Sequence, residues 1–248
     1  MRANIRDAHT FFCQNTRMSF EPAARDKPAA STWVVIPLYN EATVIAGVIR
    51  DLLPVFPHVV CIDDGSRDGS GEIARAAGAH VVTHPINLGQ GAALQTGFDY
   101  CLERGADYVV TFDADGQHRV VDAIAMLDRA RDENLAIVFG SRFLDDRTNP
   151  GILKKIVLKT AVAVTNLTTR TKLTDAHNGL RVIRADALRM FTLRQDRMAH
   201  GTEIVVKLGR TGLPYAEHPV EVIYTDYSKA KGQSLLNSVN ILVDLIIR

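Results

Sequence analysis

Five short, almost wholly apolar runs, each followed by a helical stretch, constrain this chain more than any other feature. They read WVVIPL from Trp33, HVVCID from His58, AHVVTH from Ala79, DYVVTFD from Asp107 and LAIVFGS from Leu135. A strand that is apolar on both sides needs cover on both faces, and helices alternating with such strands supply it through parallel crossovers. The periodicity predicts helices over EATVIAGVIRDLL, DGSGEIARAAG, GAALQTGFDYCLERG and VVDAIAMLDRARDEN. Asn40 is placed to cap the first, Asp68 the second, and Gly78 to stop the second. The fold class is therefore α/β, a Rossmann-like, mostly parallel sheet with helices on both faces. After Ser141 the pattern changes. A helix is expected through GILKKIVLKTAVAVTNLTTR, short elements around DAHNGLRVIRADAL, a helix over TEIVVKLGRTG, a strand in YAEHPVEVIYT and a terminal helix.

Composition narrows the classes of partner. The 29 basic and 28 acidic side chains leave a net charge of +1, so no global electrostatic footprint for nucleic acid exists. Three scattered cysteines, Cys13, Cys61 and Cys101, have neither metal-ligand spacing nor a disulfide framework, which fits a reducing compartment. No stretch reaches the roughly 20 apolar residues of a membrane span. A cytoplasmic protein, soluble or peripheral, is expected. Residues 1–31 read as a poorly ordered extension, residues 32–230 as the folded domain, and residues 231–248 as an amphipathic C-terminal helix.

In open parallel sheets ligands bind outside the carboxyl ends of the strands. Three polar clusters fall at such ends: Tyr39-Asn40-Glu41, Asp63-Asp64-Gly65-Ser66 and Asp113-Ala114-Asp115. Asp113 and Asp115 either solvate a strand end or converge on one divalent cation, Mg²⁺ or Mn²⁺, with Gln117 near enough to add an oxygen. Mg²⁺ takes one or two carboxylates and completes its shell with water and substrate phosphate. A carboxylate at a strand tip, such as Asp63, can accept an N–H from a planar heterocycle, and Tyr39 and Glu41 suit a base and ribose pocket. Gly89 and Gly91 could cradle phosphate, but simple helix entry is the reading favoured for so short a pattern.

The motifs VVIPLYNE, IDDGSRDGS, NLGQGAALQTGF, FDADGQH, GSRF and DAHNGLR occur in this order. Together they resemble a family 2 glycosyltransferase of the GT-A fold, in the group of dolichyl- and polyprenyl-phosphate mannose and glucose synthases. The resemblance covers roughly residues 32–230. It implies that Pro37, Tyr39, Glu41 and Asp63 contact the nucleotide, and that Asp113, Asp115 and Gln117 engage the metal and the donor diphosphate. It implies further that Arg142 sits near the transferring phosphate. Asp175, Asn178, Gly179 and Arg181, on the same grounds, lie near the acceptor. The chain departs from the group at Gln90, where a lysine is common, and after GQH, where a proline often follows. It departs again in YSKAKGQSLLN, where Lys229 and Lys231 are left to supply charge to a diphosphate or lipid phosphate.

Such enzymes invert the anomeric carbon by one in-line displacement. A sugar hydroxyl acceptor needs a base, whereas a phosphate monoester is already anionic. Glu203, in GTEIV, occupies the expected base position but could equally orient a neighbouring arginine or help close the site. Lysines beside the apolar stripe of Ile152–Leu167, and the apolar stripe of the terminal helix, suit a membrane surface. The expected activity is hexose transfer from a UDP- or GDP-sugar to polyprenyl phosphate. The alternative acceptor is a saccharide in cell-envelope polysaccharide synthesis. A nucleotidyltransferase would need a glycine- and arginine-rich loop after the first strand, which PLYNEATV lacks. A non-catalytic nucleotide-sugar sensor would bind donor without turnover.

Overall fold

The computed structural model describes residues 32–145, 172–175, 178–195 and 200–223. The proposed N-terminal extension, both amphipathic stretches and Lys231 lie outside the described residues. The chain alternates as expected: β1 (Thr32–Leu38), α1 (Ile45–Leu52), β2 (His58–Asp63), α2 (Ser70–Ala76), β3 (His80–Thr83), α3 (Gln90–Glu103), β4 (Tyr108–Thr111), α4 (Val120–Asp132) and β5 (Ile137–Ser141). There follow β6 (Arg181–Arg184), α5 (Ala185–Leu188), α6 (His200–Arg210) and β7 (Tyr215–Pro219).

These seven strands form one sheet in the order β3-β2-β1-β4-β6-β5-β7. The neighbours among β1 to β4 run parallel, as do β5 and β7, while β6 is antiparallel to both β4 and β5. Its first residue, Arg181, pairs with Thr111 and Phe139. An antiparallel strand thus starts where its parallel neighbours finish, and Arg181 reaches the carboxyl edge of the sheet.

The apolar strands split by period two between two helical layers. Val34, Ile36 and Leu38 pack with α1, α2 and α4, whereas Trp33 and Val35 pack with α3, α5 and α6. Burying every second side chain on each face explains why these strands read as continuous apolar runs rather than alternating ones. On the second layer Gly97 lets α3 settle onto β1, because a Cβ there would overlap Val35.

Asn40 does not cap α1. It takes a left-handed backbone (φ 53°), accepts the Arg67 N–H through Oδ1 (3.0 Å) and donates its own N–H to Ser66 Oγ (3.1 Å). Asparagine tolerates this region better than most residues, and here it joins the exits of β1 and β2. The N-cap of α2 is Gly69, in a left-handed backbone, and Asp68 just before it accepts the Ser70 N–H at 3.1 Å and the Ala42 N–H at 3.0 Å.

Candidate active site

At the carboxyl edge a cleft of about 570 Å³ opens, lined by Pro37 near the end of β1, Tyr39 and Glu41 after it, Asp64 after β2, Asn87 and Gly89 before α3, Gln90 at its start, and Asp113 and Asp115 after β4. Tyr39 is exposed there, 45 % of its surface open to solvent beside the acidic groups. Pro37, Tyr39, Glu41, Asp113 and Asp115 are thus brought together as the sequence suggests.

The acidic pair after β2 divides between the two layers. Cys61 belongs to the layer of α1 and α2, and Ile62 to that of α3. Alternation therefore sends Asp63 back toward α2, where its Oδ1 accepts the Ser66 N–H (3.0 Å) and its carboxylate abuts Gly71. Asp64 faces the cleft instead. It accepts the N–H groups of Leu88 (2.9 Å) and Gly89 (2.7 Å), and His84 Nδ1 lies 2.7 Å from it. The second nitrogen of His84 meets Thr96 Oγ1 at 3.0 Å. Asp64 is a cleft residue that the sequence reasoning passed over, although strict alternation along HVVCIDD would have separated it from Asp63. Because the Gly89 N–H is already bonded to Asp64, this turn is helix entry rather than a phosphate cradle.

Asp115 is half-buried beside Asp113, with Glu41 adding further negative charge. Its carboxyl is pushed up to about 6, first by burial, then by the charge of Asp113, against the pull of the Gln117 N–H and His118. Gln117 is buried and holds Asp115 from two sides, its backbone N–H at 3.0 Å from Oδ1 and its side-chain amide at 2.8 Å from Oδ2. His118 Nε2 lies 2.9 Å from Asp113 Oδ2. Among the described residues no three His, Cys, Asp or Glu side chains converge as a closed metal site. The hard oxygen donors of Asp113 and Asp115, crowded enough to hold a proton, nevertheless fit an open site for Mg²⁺ or Mn²⁺ whose remaining ligands come from elsewhere.

The DAHNGLR motif stands against the same carboxylates. Gly179 packs so close to Asp113 that a Cβ would collide with its oxygens, and the Gly179 carbonyl accepts from Thr111 Oγ1 (2.6 Å). Asn178 is buried; its Oδ1 accepts the Leu180 N–H (2.8 Å) and its Nδ2 has no partner among the described residues. Arg181 is buried with an unpartnered Nε among the described residues, and its tip lies 4.0 Å from where a Cβ on Gly201 of α6 would sit. Burial draws its pKa down to about 10, opposed by the charges of Asp113 and Asp175.

Arg142 and Asp175, assigned separately in the sequence, form one buried fork. Arg142 Nε donates at 2.6 Å and Nη2 at 2.8 Å to the two oxygens of Asp175, whose side chain is 1 % exposed against 11 % for Arg142. This is no surface ion pair. Glu217 of β7, unassigned in the sequence, accepts the N–H groups of Thr174 (2.7 Å) and Asp175 (3.1 Å), fixing the segment that carries the fork.

Glu203 is not brought to the cleft. Its carboxylate accepts the N–H groups of Arg194 and Gln195 and pairs with Lys207 at 2.7 Å. Its pKa is lowered: burial raises it, but the Lys207 contact and the two N–H groups outweigh that effect. It lines a separate cavity and holds the backbone of Arg194 and Gln195.

Residues 33–191 match the family described as Glycosyl transferase family 2. The chain belongs to this family. Among curated proteins this glycosyltransferase is 28 % identical to the UDP-N-acetylglucosamine–dolichyl-phosphate N-acetylglucosaminyltransferase of Methanococcus voltae, over 87 % of the chain and 94 % of that protein. It is 30 % identical to the undecaprenyl-phosphate mannosyltransferase of Micrococcus luteus, over 79 % and 85 %. Its fold is that of GT-A enzymes. The glucosyl-3-phosphoglycerate synthase of Mycobacterium tuberculosis, solved with Mn²⁺ and UDP-glucose, superposes with a TM-score of 0.61 at 19 % identity, covering 87 % of this chain and 76 % of that one.

Proposed function

We propose that this glycosyltransferase moves a hexose from a UDP- or GDP-sugar to polyprenyl phosphate, with inversion and with a divalent cation, at the cytoplasmic face of a membrane. The observation that carries the reading is the convergence of Glu41, Asp64, Asp113 and Asp115 on one cleft at the strand ends, with Arg181 buried behind them. Four carboxylates lining a site for a doubly anionic diphosphate make sense only with cationic charge supplied there. The M. voltae and M. luteus relatives, named for lipid-phosphate acceptors, support the acceptor class.

In this reading Tyr39, Pro37 and Glu41 form the wall against the nucleoside, with Asp63 tying the floor of that wall to α2. Asp113 and Asp115, with Gln117 adjoining, would hold the cation, which offsets the charge developing on the leaving nucleoside diphosphate. Asp64 and His84 keep the loop through Asn87 and Gly89 against the donor. Arg142 and Asp175 hold the acceptor-side segment in place, and Arg181 supplies positive potential beneath it. Asn178 offers its amide to the same side. The described chain ends at Ile223, whose N–H is bonded to the Gln117 carbonyl at 2.9 Å. No general base is required, since a phosphate acceptor is already an anion, and this agrees with Glu203 being committed elsewhere.

The test is transfer from a panel of labelled UDP- and GDP-sugars, with Mg²⁺ or Mn²⁺, with and without a short polyprenyl phosphate. Label in the organic phase, lost with Asp115→Ala, is expected. Label appearing only in a water-soluble glycan would move the acceptor to the saccharide class.

A further inference from the structure

A second cavity, about 610 Å³, lies between the loop after α5 and the outer surface of α6, in the helical layer of α3. Arg189, Arg194, Lys207 and Arg210 line it, against the single carboxylate of Glu203. Lys207 and Glu203 neutralise one another at 2.7 Å. The guanidinium groups of Arg189, Arg194 and Arg210 are exposed and make no hydrogen bond or ion pair with any described residue. A chain with a net charge of +1 has therefore gathered three cations, none partnered among the described residues, around one concavity. Met190 stands among them with 57 % of its surface exposed, and Phe191 lines the same rim. Folding alone gives no reason to leave this arrangement uncovered: like charges repel, and an exposed methionine gains nothing from water.

We propose that this patch docks the enzyme on an anionic phospholipid surface, the arginines meeting headgroup phosphates and Met190 entering the headgroup boundary. Charge complementarity supports this occupant. Arginine matches phosphate as a bidentate donor, and apolar tips among cations are what an interface of charged headgroups over acyl chains accommodates. Free phosphate would account for the arginines but not for Met190. The proposal rests on the lipid-acceptor reading only for its biological setting; the surface itself is independent of the cleft.

The experiment is flotation of the full chain with phosphatidylcholine vesicles, with and without phosphatidylglycerol, no polyprenyl phosphate being present. Each arginine near an anionic surface strengthens partitioning roughly five-fold. The Arg189→Gln/Arg194→Gln/Arg210→Gln variant should therefore bind anionic vesicles on the order of 100-fold more weakly. Met190→Glu should weaken binding further, whereas Arg50→Gln/Arg75→Gln, on the opposite helical layer, should not change it by more than a few-fold. Thermal melting verifies that each variant folds. Equal loss from the Arg50/Arg75 variant would overturn the patch in favour of diffuse attraction. Complete displacement by millimolar inorganic phosphate, with Met190→Glu silent, would overturn it in favour of a phosphate pocket. Transfer to a detergent-dispersed short polyprenyl phosphate is measured alongside. Vesicle binding without transfer would sink the acceptor reading and leave the patch standing, and transfer without patch-dependent binding would do the reverse.

Discussion

Replacing Asp175 with alanine isolates the largest single electrostatic commitment in the described structure. Arg142 keeps only 11 % of its side chain exposed and gives two guanidinium N–H groups, together with its own backbone N–H at 3.2 Å, to that one carboxylate. Solvent cannot take over those bonds at such burial, so little screening discount applies. Removing one partner of a buried pair costs about 3–5 kcal/mol, most of it the stranded charge. For a chain of 248 residues, each kcal/mol moves the melting temperature by about 2 °C. Asp175→Ala should thus melt roughly 6–10 °C lower in a calorimetric scan. The double variant Arg142→Leu/Asp175→Leu should recover much of this loss, because a buried pair costs less to replace with apolar groups than to break. A drop under about 2 °C for Asp175→Ala, or strictly additive losses in the double variant, would refute the buried-fork account.

Other outcomes follow from the same geometry. Gly179→Ala should push the turn before β6 off Asp113, cost about 1–3 kcal/mol of stability and weaken Mn²⁺ binding measured by calorimetric titration. Asp64→Asn replaces an acceptor of two N–H groups with a partial donor, and should raise the donor KM roughly ten-fold with kcat less affected. Because the Asp115 carboxyl is raised to about 6, the protonated form is favoured in the fold. Its contribution to stability is full below the ordinary carboxylate pKa and is lost as pH rises through 6, while cation binding runs the other way and strengthens over that window. Asp115→Asn should flatten the stability profile between pH 4 and 6. Glu203→Gln should lower the melting temperature yet leave transfer to polyprenyl phosphate within a few-fold; collapse of transfer with donor binding intact would restore Glu203 as a base.

The half through β4 was legible because its strands carry one unambiguous signal, apolar on both sides and closed by turn residues. WVVIPL, HVVCID and YVVT emerge as β1, β2 and β4, and the acidic ends cluster as the strand-end rule requires. The half around β6 was not. β6 spans only Arg181–Arg184, with arginine at both ends, so neither period two nor apolarity marks it, and its antiparallel sense depends on partners seventy residues away. The Arg142–Asp175 fork joins residues 33 apart, a distance at which spacing carries no information. Glu203 had the right residue type and the right motif. Only the N–H groups of Arg194 and Gln195 reveal that its lone pairs are taken. Asp63 and Asp64 differ in a way alternation could have resolved, since one residue of register exchanges the two faces of the sheet.

The antiparallel insertion of β6 between β4 and β5 has a consequence for how this catalyst can diversify. The excursion leaving after β5 and returning into β6 must enter and exit at one edge, whatever its length, because the ladder bonds of Arg181–Arg184 to both neighbours fix its return point. That excursion can then be exchanged while the cleft side chains after β1, β2 and β4, set by earlier strands, keep their coordinates. Chimeras spliced at Asp145 and Lys172 would leave every cleft residue from Pro37 to Asp115 in one parent, making the strand a natural seam for recombination.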